Sequence, residues 1–263
     1  MKLEVSVLAS GSSGNSIFIG DKKNSILIDA GLSGKKIEER LKMIDRDPTC
    51  IDAILVTHEH SDHIKGVGVL SRRFDIPVYA NELTWQGAIS NLGKISEANC
   101  KIFKDSFMFG KFGIEPFSIP HDANDPVGFI VNHRNNKISI ATDMGFMPDD
   151  VKNKLKRSDF IIIESNHDLE MLMNGSYPWS LKNRIKGKKG HLSNDDTAAA
   201  LPELIGDNCP SILLAHLSKD NNIPDLAYIT IKNILEKEGF RLEKDLEMGF
   251  AYRDRPTQLY KIG

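Results

Sequence analysis

Apolar positions in this chain fall into two periods. Short aliphatic and β-branched runs stand at 3–8, 16–19, 25–28, 51–56, 78–80, 114–119, 127–132, 138–142, 160–163 and 211–215. Runs of this length, bounded by Gly, Asp, Asn and Ser, read as strands. Elsewhere apolar residues recur three and four apart. One such stretch is 33–43, with Ser33 as cap and Ile37 and Leu41 on one face; another reaches Phe74 and carries Ile64, Val67 and Leu70. Similar stretches lie at 83–89, 194–204 and 224–238. That spacing predicts helices with one face inward. Asn222 is the expected cap of the last helix and Gly239 its stop. Two strands, 248–252 and 258–262, close the pattern. This order allows two sheets packed together with helices outside, an α+β protein.

Length and charge narrow the picture slightly. A chain of 263 residues allows one large domain or two small ones. No linker, repeat or low-complexity segment divides it, and the candidate metal ligands run from 58 to 216. A single domain over 1–263 is therefore expected. A formal charge of −2 argues against indiscriminate binding to nucleic acid but leaves room for a local basic track. Residues 1–10 alternate like a strand and lack the basic start and long apolar core of a signal peptide. No segment reaches the roughly 18 apolar residues of a membrane span. Cys50, Cys100 and Cys209 are far apart in sequence, which fits a reducing cytoplasm without a disulfide framework. Each reads as a small buried hydrophobe. The expected location is cytoplasmic, away from any membrane.

One stretch carries most of the chemistry. His58-Glu59-His60-Ser61-Asp62-His63 follows the run 51–56 and Thr57, where a strand leaves the core. It offers four metal donors in six residues, too dense and too well placed for a chance cluster of surface histidines. In an extended segment His58 and His60 point to the same side, because the side-chain period is two, and they can share one ion. Asp62 and His63 open a helix, where neighbouring side chains diverge by about 100°. That suits a second ion nearby.

Four donors cannot complete two sites. His121 stands just past 114–119, Asp143 ends the run 137–142, and His216 ends 211–215. Alone, either histidine could be structural and the aspartate a cap or turn residue. Following the histidine-rich run in this order, at strand ends where functional groups gather, they read as the missing ligands. Imidazole suits zinc, manganese or iron, and carboxylates accept harder ions. The expected cofactors are two divalent ions, zinc or manganese, with iron also compatible.

The order of these elements resembles the metallo-β-lactamase superfamily over nearly the whole chain. The resemblance implies a four-layer αββα sandwich, the metallo-β-lactamase fold. It implies one ion on His58, His60 and His121 and a second on Asp62, His63 and His216. Asp143 would bridge both, with a water or hydroxide between the ions. It also makes Asp29 a support for the metal histidines, a role a turn residue could mimic. Such a site keeps net positive charge, attracts an anionic substrate and performs hydrolysis.

The remaining motifs bear on the substrate. Gly11-Ser12-Ser13-Gly14-Asn15-Ser16 lies between two strands. Its backbone N–H groups can form an anion nest, with Ser12, Ser13 and Asn15 adding polar groups; a plain β-turn is the alternative. Hydrolysis of a phosphodiester needs a proton for the leaving oxygen, which metal ligands cannot give. His191, in Gly190-His191-Leu192-Ser193-Asn194, is the candidate donor. Glu164, in Glu164-Ser165-Asn166-His167-Asp168, is its candidate orienting partner. The transfer-RNA 3′-processing ribonucleases of the superfamily carry a comparable pair in this order. His133, in the turn-like 132–136, reads as solvated. Lys182, Arg184, Lys186, Lys188 and Lys189 crowd into eight residues before His191, with no acid among them. They either hold phosphates or form a solvated loop.

Together these motifs most closely resemble the YycJ/WalJ-like branch of the superfamily. That resemblance implies a 5′-to-3′ DNA exonuclease. Its catalytic residues would be Asp62, Asp143, His191 and Glu164. Its substrate contacts would come from Ser12, Ser13, Asn15, Asn166, His167, Ser193, Asn194, Lys186, Lys188 and Lys189. Spacing alone supports only a dinuclear hydrolase. Three other functions stay open: a small-molecule hydrolase such as a cyclic phosphodiesterase, an RNA-processing nuclease, and a binding or regulatory module on an inactive hydrolase fold. The seven candidate ligands argue against the last. The short interval from Asp143 to His216 argues against the inserted domain of the large RNA nucleases.

Overall fold

A computed structural model describes residues 2–205, 210–242 and 244–263. The chain divides into two compact units. One comprises Met1–Pro116, Ala123–Val127 and Ala251–Gly263; the other comprises Phe117–Asp122 and Gly128–Phe250.

The first unit opens with β1 (Leu3–Ala9), β2 (Ser16–Gly20), β3 (Ser25–Ile28), α1 (Gly34–Met43) and β4 (Ala53–Leu55). There follow α2 (Ser61–Ile64), α3 (Val67–Phe74), β5 (Val78–Ala80), α4 (Glu82–Leu92) and β6 (Cys100–Ile102). β7 (Phe107–Phe109) and β8 (Phe112–Ser118) form an antiparallel pair, and the last two residues of β8 belong to the second unit. The second unit continues with β9 (Val127–His133), β10 (Asn136–Ala141), α5 (Asp149–Leu155), β11 (Phe160–Glu164), α6 (Leu169–Asn174) and α7 (Trp179–Ile185). α8 (Asn194–Leu204), β12 (Ser211–Ala215), α9 (Pro224–Lys237) and β13 (Glu247–Phe250) complete it, and β14 (Tyr260–Ile262) returns to the first unit.

Both units are built on mixed sheets. In the first, the order is β14-β1-β2-β3-β4-β5-β6. The pairs from β14 to β3 are antiparallel and those from β3 to β6 parallel. Parallel neighbours need a crossover, which α1 supplies between β3 and β4 and α2 with α3 between β4 and β5. β2 and β3 are buried at every position, as expected of strands covered on both faces. In the second unit, β9 pairs antiparallel with β10, and β10, β11, β12 and β13 run parallel. Each unit has its own apolar core. One gathers Phe18, Leu27, Ile37, Leu41, Ile54 and Val67; the other gathers Ile130, Ile161, Ile163, Leu201, Leu214 and Ile231.

Local signals decide several boundaries. Ser33 caps α1 through Lys36 N–H, and Ile37 and Leu41 are its buried face. Ser193 and Asp196 form a capping box on α8. Four expectations need correction. Asn222 does not cap α9, whose N-cap is Ile223, with Pro224 at the first turn. Its amide instead donates to Ser165 O (2.9 Å), Asn166 O (3.1 Å) and Asn194 Oδ1 (2.9 Å). His133 is not solvated. β9 extends to it, and strand alternation turns it inward while Asn132 faces out. Cys50 is half-buried and Cys100, on β6, is exposed. Cys209 lies outside the described residues. No helix among the described residues is long and apolar enough to cross a membrane.

Candidate metal centre

In the first unit the polar residues converge where β3 and β4 end. His58 follows three residues after β4, and His60 is the extended N-cap of α2. His58 Nε2 and His60 Nδ1 lie 3.1 Å apart, so both nitrogens face one point. His63, on α2, lies tilted against His58 with ring centroids 4.0 Å apart. Asp29, directly after β3, anchors the group. Its Oδ1 accepts from Thr57 N–H (2.8 Å), and its Oδ2 accepts from Thr57 Oγ1–H (2.8 Å) and His63 Nδ1–H (2.7 Å). Thr57 Oγ1 in turn accepts from His58 Nδ1–H (3.0 Å). With Nδ1 protonated in both rings, Nε2 of His58 and of His63 presents the lone pair a metal needs. Burial pushes the Asp29 carboxyl up from its usual range, against the pull of His63 and Thr57.

The Gly/Ser turn is wired into the same cluster. Asn15 Oδ1 accepts from Gly11 N–H (2.8 Å), and Asn15 N–H donates to Asp62 O (2.8 Å). The Asn15 amide nitrogen is 3.2 Å from Asp62 Oδ2 and 3.0 Å from His63 Nε2. Asn15 thus turns inward, onto Asp62 and His63, while Ser12 and Ser13 stay exposed at the tip. Gly31 makes this approach possible. A Cβ there would sit 1.6 Å from Asp62 O and 2.6 Å from Asn15 N.

In the second unit Glu164, the last residue of β11, is the organising group. Its Oε1 accepts from His191 Nδ1–H (2.7 Å) and His216 Nδ1–H (3.0 Å). Its Oε2 accepts from the N–H groups of Met144 (2.8 Å) and Leu192 (3.3 Å). Burial alone would push this carboxyl up, but His191 and His216 hold it well below the usual carboxylate range. His216, directly after β12, presents Nε2 3.5 Å from Asp143 Oδ1. Asp143 follows two residues after β10, and it offers ligand atoms within 4.8 Å of those of Glu164, His191 and His216. His121 Nδ1 donates to Gly190 O (3.3 Å), so that Nε2 is the nitrogen able to ligate a metal, and burial lowers its basicity so that it favours the neutral, ligating form. Asp29, Asp143 and His216 share one more property: each sits in left-handed backbone, at φ 59°, 61° and 56°.

The other candidate residues are placed less uniformly. His191 rings lie 5.3 Å from His121 and 5.1 Å from His216, and its side chain is 17% exposed. Asn166 donates to His216 O (2.8 Å). His167 is buried, Ser193 is committed to its cap, and Asn194 is buried against Ser165 and Asn222. The basic run divides. Lys182 is buried and donates to Met173 O (2.7 Å), and Arg184 pairs with Asp122 (2.6 Å). Lys186, Lys188 and Lys189 are exposed.

Imidazoles anchored through Nδ1, with Nε2 turned toward carboxylates, suit a divalent metal ion. A sequence profile of the beta-lactamase superfamily domain matches residues 24–214. The chain belongs to the metallo-β-lactamase superfamily. It is 42% identical over 264 residues to exodeoxyribonuclease YycJ of Bacillus anthracis, with all of both chains covered. It is 43% identical over 261 residues to exodeoxyribonuclease WalJ of Streptococcus pneumoniae, covering 98% of this chain and 97% of that one. It is thus a YycJ/WalJ-like member and a hydrolase of the superfamily. Among solved structures, the metallo-β-lactamase fold protein YhfI from Bacillus subtilis is similar, with a TM-score of 0.75 at 14% identity, covering 99% of this chain and all of that one.

Three supports escaped the sequence pattern. Thr57, between Asp29 and His58, had its signal in its place directly before the histidine run. The inward turn of Asn15 had none, because Gly-Ser turns with exposed and buried amides look alike. Asn222 resembled a helix cap and is instead a buried tie.

Proposed function

We propose that this chain is a metal-dependent exodeoxyribonuclease that shortens DNA in the 5′-to-3′ direction. Full-length identity to two proteins named exodeoxyribonucleases supports it. The observation that carries the chemistry is the pair Glu164–His191. A partly exposed imidazole is pinned through Nδ1 to a buried, ionised carboxylate, and its Nε2 is left to carry a proton. As that proton moves to the leaving oxygen, Glu164 keeps the ring oriented; when the ring is charged, Glu164 stabilises it.

His58, His60 and His121 would hold one ion and Asp62, His63 and His216 a second, and Asp143 would serve both. The ions would be zinc or manganese, with iron also suited to the donors. When bound they would polarise water and neutralise phosphate charge. Ser12 and Ser13 would meet phosphate oxygens, and Lys186, Lys188 and Lys189 would hold the strand. Asn15, Asn166, His167, Ser193 and Asn194 would act behind these groups, keeping ligands and loops in place. The two units would act as one catalytic domain, in the cytoplasm where such DNA lies.

The test is a digestion of end-labelled 5′-phosphorylated DNA with added manganese or zinc. Matched RNA and a cyclic dinucleotide run alongside. Progressive loss of mononucleotides from the DNA 5′ end is the expected result. Faster turnover of RNA or of the cyclic ester would overturn the proposal.

A further inference from the structure

One cross-strand row of the first sheet lies at the end where β1 and β3 begin. Lys261 of β14 faces Glu4 of β1, Glu4 faces Gly20 of β2, and Gly20 faces Ser25 of β3. Residues directly opposite in a sheet project from the same face. The row is therefore tall at Lys261 and Glu4 and low in the middle, where Gly20 has no side chain and Ser25 a short one. A cavity of about 690 Å³ is lined by Lys261, Glu4 and Ser25 of this row.

The rest of the lining is basic. Lys2, Lys22 and Lys23 join Lys261 there, all four exposed, and none of them is in an ion pair among the described residues. The acids of the cavity are already engaged. Asp21 Oδ1 accepts from the N–H groups of Lys23 (2.7 Å) and Asn24 (2.8 Å), closing the β2–β3 hairpin. Asp52 Oδ2 accepts from Ser25 N–H (2.8 Å), and Glu4 pairs with Arg46. Arg46 is itself held in place. Its guanidinium carbon lies 5.9 Å from the centre of the Phe18 ring, and its Nη1 donates to Asp45 O (2.9 Å). Five cations thus share this cavity with three acids, in a chain whose formal charge is −2.

The place is remote from the metal centre. β3 begins at Ser25, and Asp29 directly follows its end. Four steps of extended chain, about 13 Å, separate the two. No lining residue is aromatic, so nothing there offers a stacking face to a base.

We propose that this cavity is a second anion site, which binds a small oligophosphate, the unit shared by pyrophosphate and nucleoside polyphosphates. Arg46 supplies a fixed guanidinium, and the lysines close around the ligand as movable point charges. Four ammonium groups without acidic partners match the several oxygens of linked phosphates better than the single charge of a carboxylate. The site does not depend on the nuclease reading, because no proposed metal ligand or proton donor takes part in it.

Two cysteines make the test site-specific. Cys50 lines the cavity and is half-buried, whereas Cys100 is exposed on β6. The full chain, metal-loaded, is alkylated with a maleimide while inorganic pyrophosphate is titrated, and each cysteine peptide is followed by mass spectrometry. Pyrophosphate should slow alkylation of Cys50 with a saturable profile and leave Cys100 unchanged. The protection should persist in chelator and weaken with added salt. Lys22→Ala combined with Lys23→Ala should raise the half-protecting concentration about tenfold or more, the worth of one charge-assisted hydrogen bond. Lys188→Ala with Lys189→Ala, in the other unit, should leave it unchanged. ATP should protect as pyrophosphate does, and adenosine should not. No protection at millimolar pyrophosphate, or protection indifferent to Lys22 and Lys23, would overturn the proposal. So would a short DNA duplex that shields Cys50 better than pyrophosphate, which would make these lysines a contact for the strand.

Discussion

The two units use the same device for different ends. Each has one buried carboxylate with two imidazoles behind it. In the first unit Asp29 holds His63 directly and His58 through Thr57, and both rings are proposed metal ligands. In the second, Glu164 holds His216, a proposed ligand, and His191, whose edge reaches solvent. The environments diverge accordingly. Asp29 is pushed up by burial, whereas Glu164 is held well down by two histidines. A carboxylate that only orients ligands can tolerate poor solvation. One that must steady a charged imidazole is better served by the company of positive charge. On the proposed assignments, the first unit would hold ligands and the second would hold ligands and also transfer a proton.

Substitutions can break this contrast, and Asp143→Ala should do the most. If one carboxylate serves both ions, metal content should fall for both and turnover should drop to background. Elemental analysis of purified variant and wild type checks this. Two ions retained per chain would refute the bridging role.

His191→Ala comes next. It should keep metal and lose about 10²–10⁴ in rate, the usual contribution of a general acid. Single-turnover cleavage measures it. A nitrophenyl ester, whose leaving group needs no proton, should lose far less. Equal losses on both substrates would mean His191 serves folding or binding, and the proposed division between the units would collapse.

Asp29→Asn should act by metal affinity alone. Loss of such an anchor typically costs about 10–100-fold in metal affinity. Activity should return when metal is added in excess, and the rate at saturation should be near that of wild type. A deficit that persists at saturating metal would place Asp29 in the chemistry. Asparagine suits this test because it tolerates the left-handed backbone found there.

The smallest effect concerns the metal-free protein. Burial lowers the basicity of His121 and His167, both in the second unit, below the ordinary 6.5. As pH falls below about 6.5, the unfolded chain takes up protons that the folded chain refuses, so folding free energy declines. Glu164, held below its ordinary 4.5, adds a further loss as pH falls under that value. Calorimetry in chelator from pH 7 to 5.5 should show a falling melting temperature. A flat or rising trend would contradict the assigned directions.

Much of this was written in the local pattern. The strands at 25–28 and 211–215 and the helix Asn194–Leu204 coincide with their apolar periods, because uninterrupted apolar runs and a clear helical period bounded by turn residues have few alternative folds. The histidine-rich run was legible for the same reason, since period two fixes where His58 and His60 point. Several short elements were not, although the three-residue β5 coincides with its run at 78–80. β6 and β7 have three residues each, too few to show a period, and α6 and α7 have only six and seven. Contacts across long sequence gaps were also hidden. Nothing in the spacing tells that Asn15 reaches Asp62 and His63, or that Glu164 holds two histidines instead of one. Those follow from how strand ends come together, which single-sequence periodicity does not encode.

The left-handed backbone at Asp29, Asp143 and His216 limits what these positions can become. Few side chains apart from glycine accept such a conformation, and asparagine, aspartate and histidine lead them. By coincidence of chemistry, two of those three are also metal donors. A lineage in which this activity was no longer selected would find glycine and asparagine compatible with the backbone at each post. The reverse route, recruiting glutamate or cysteine as a new ligand at the same post, meets a backbone that resists both. Ancestral loss of catalysis in such a scaffold is therefore a short walk, and re-invention with a different donor set a long one.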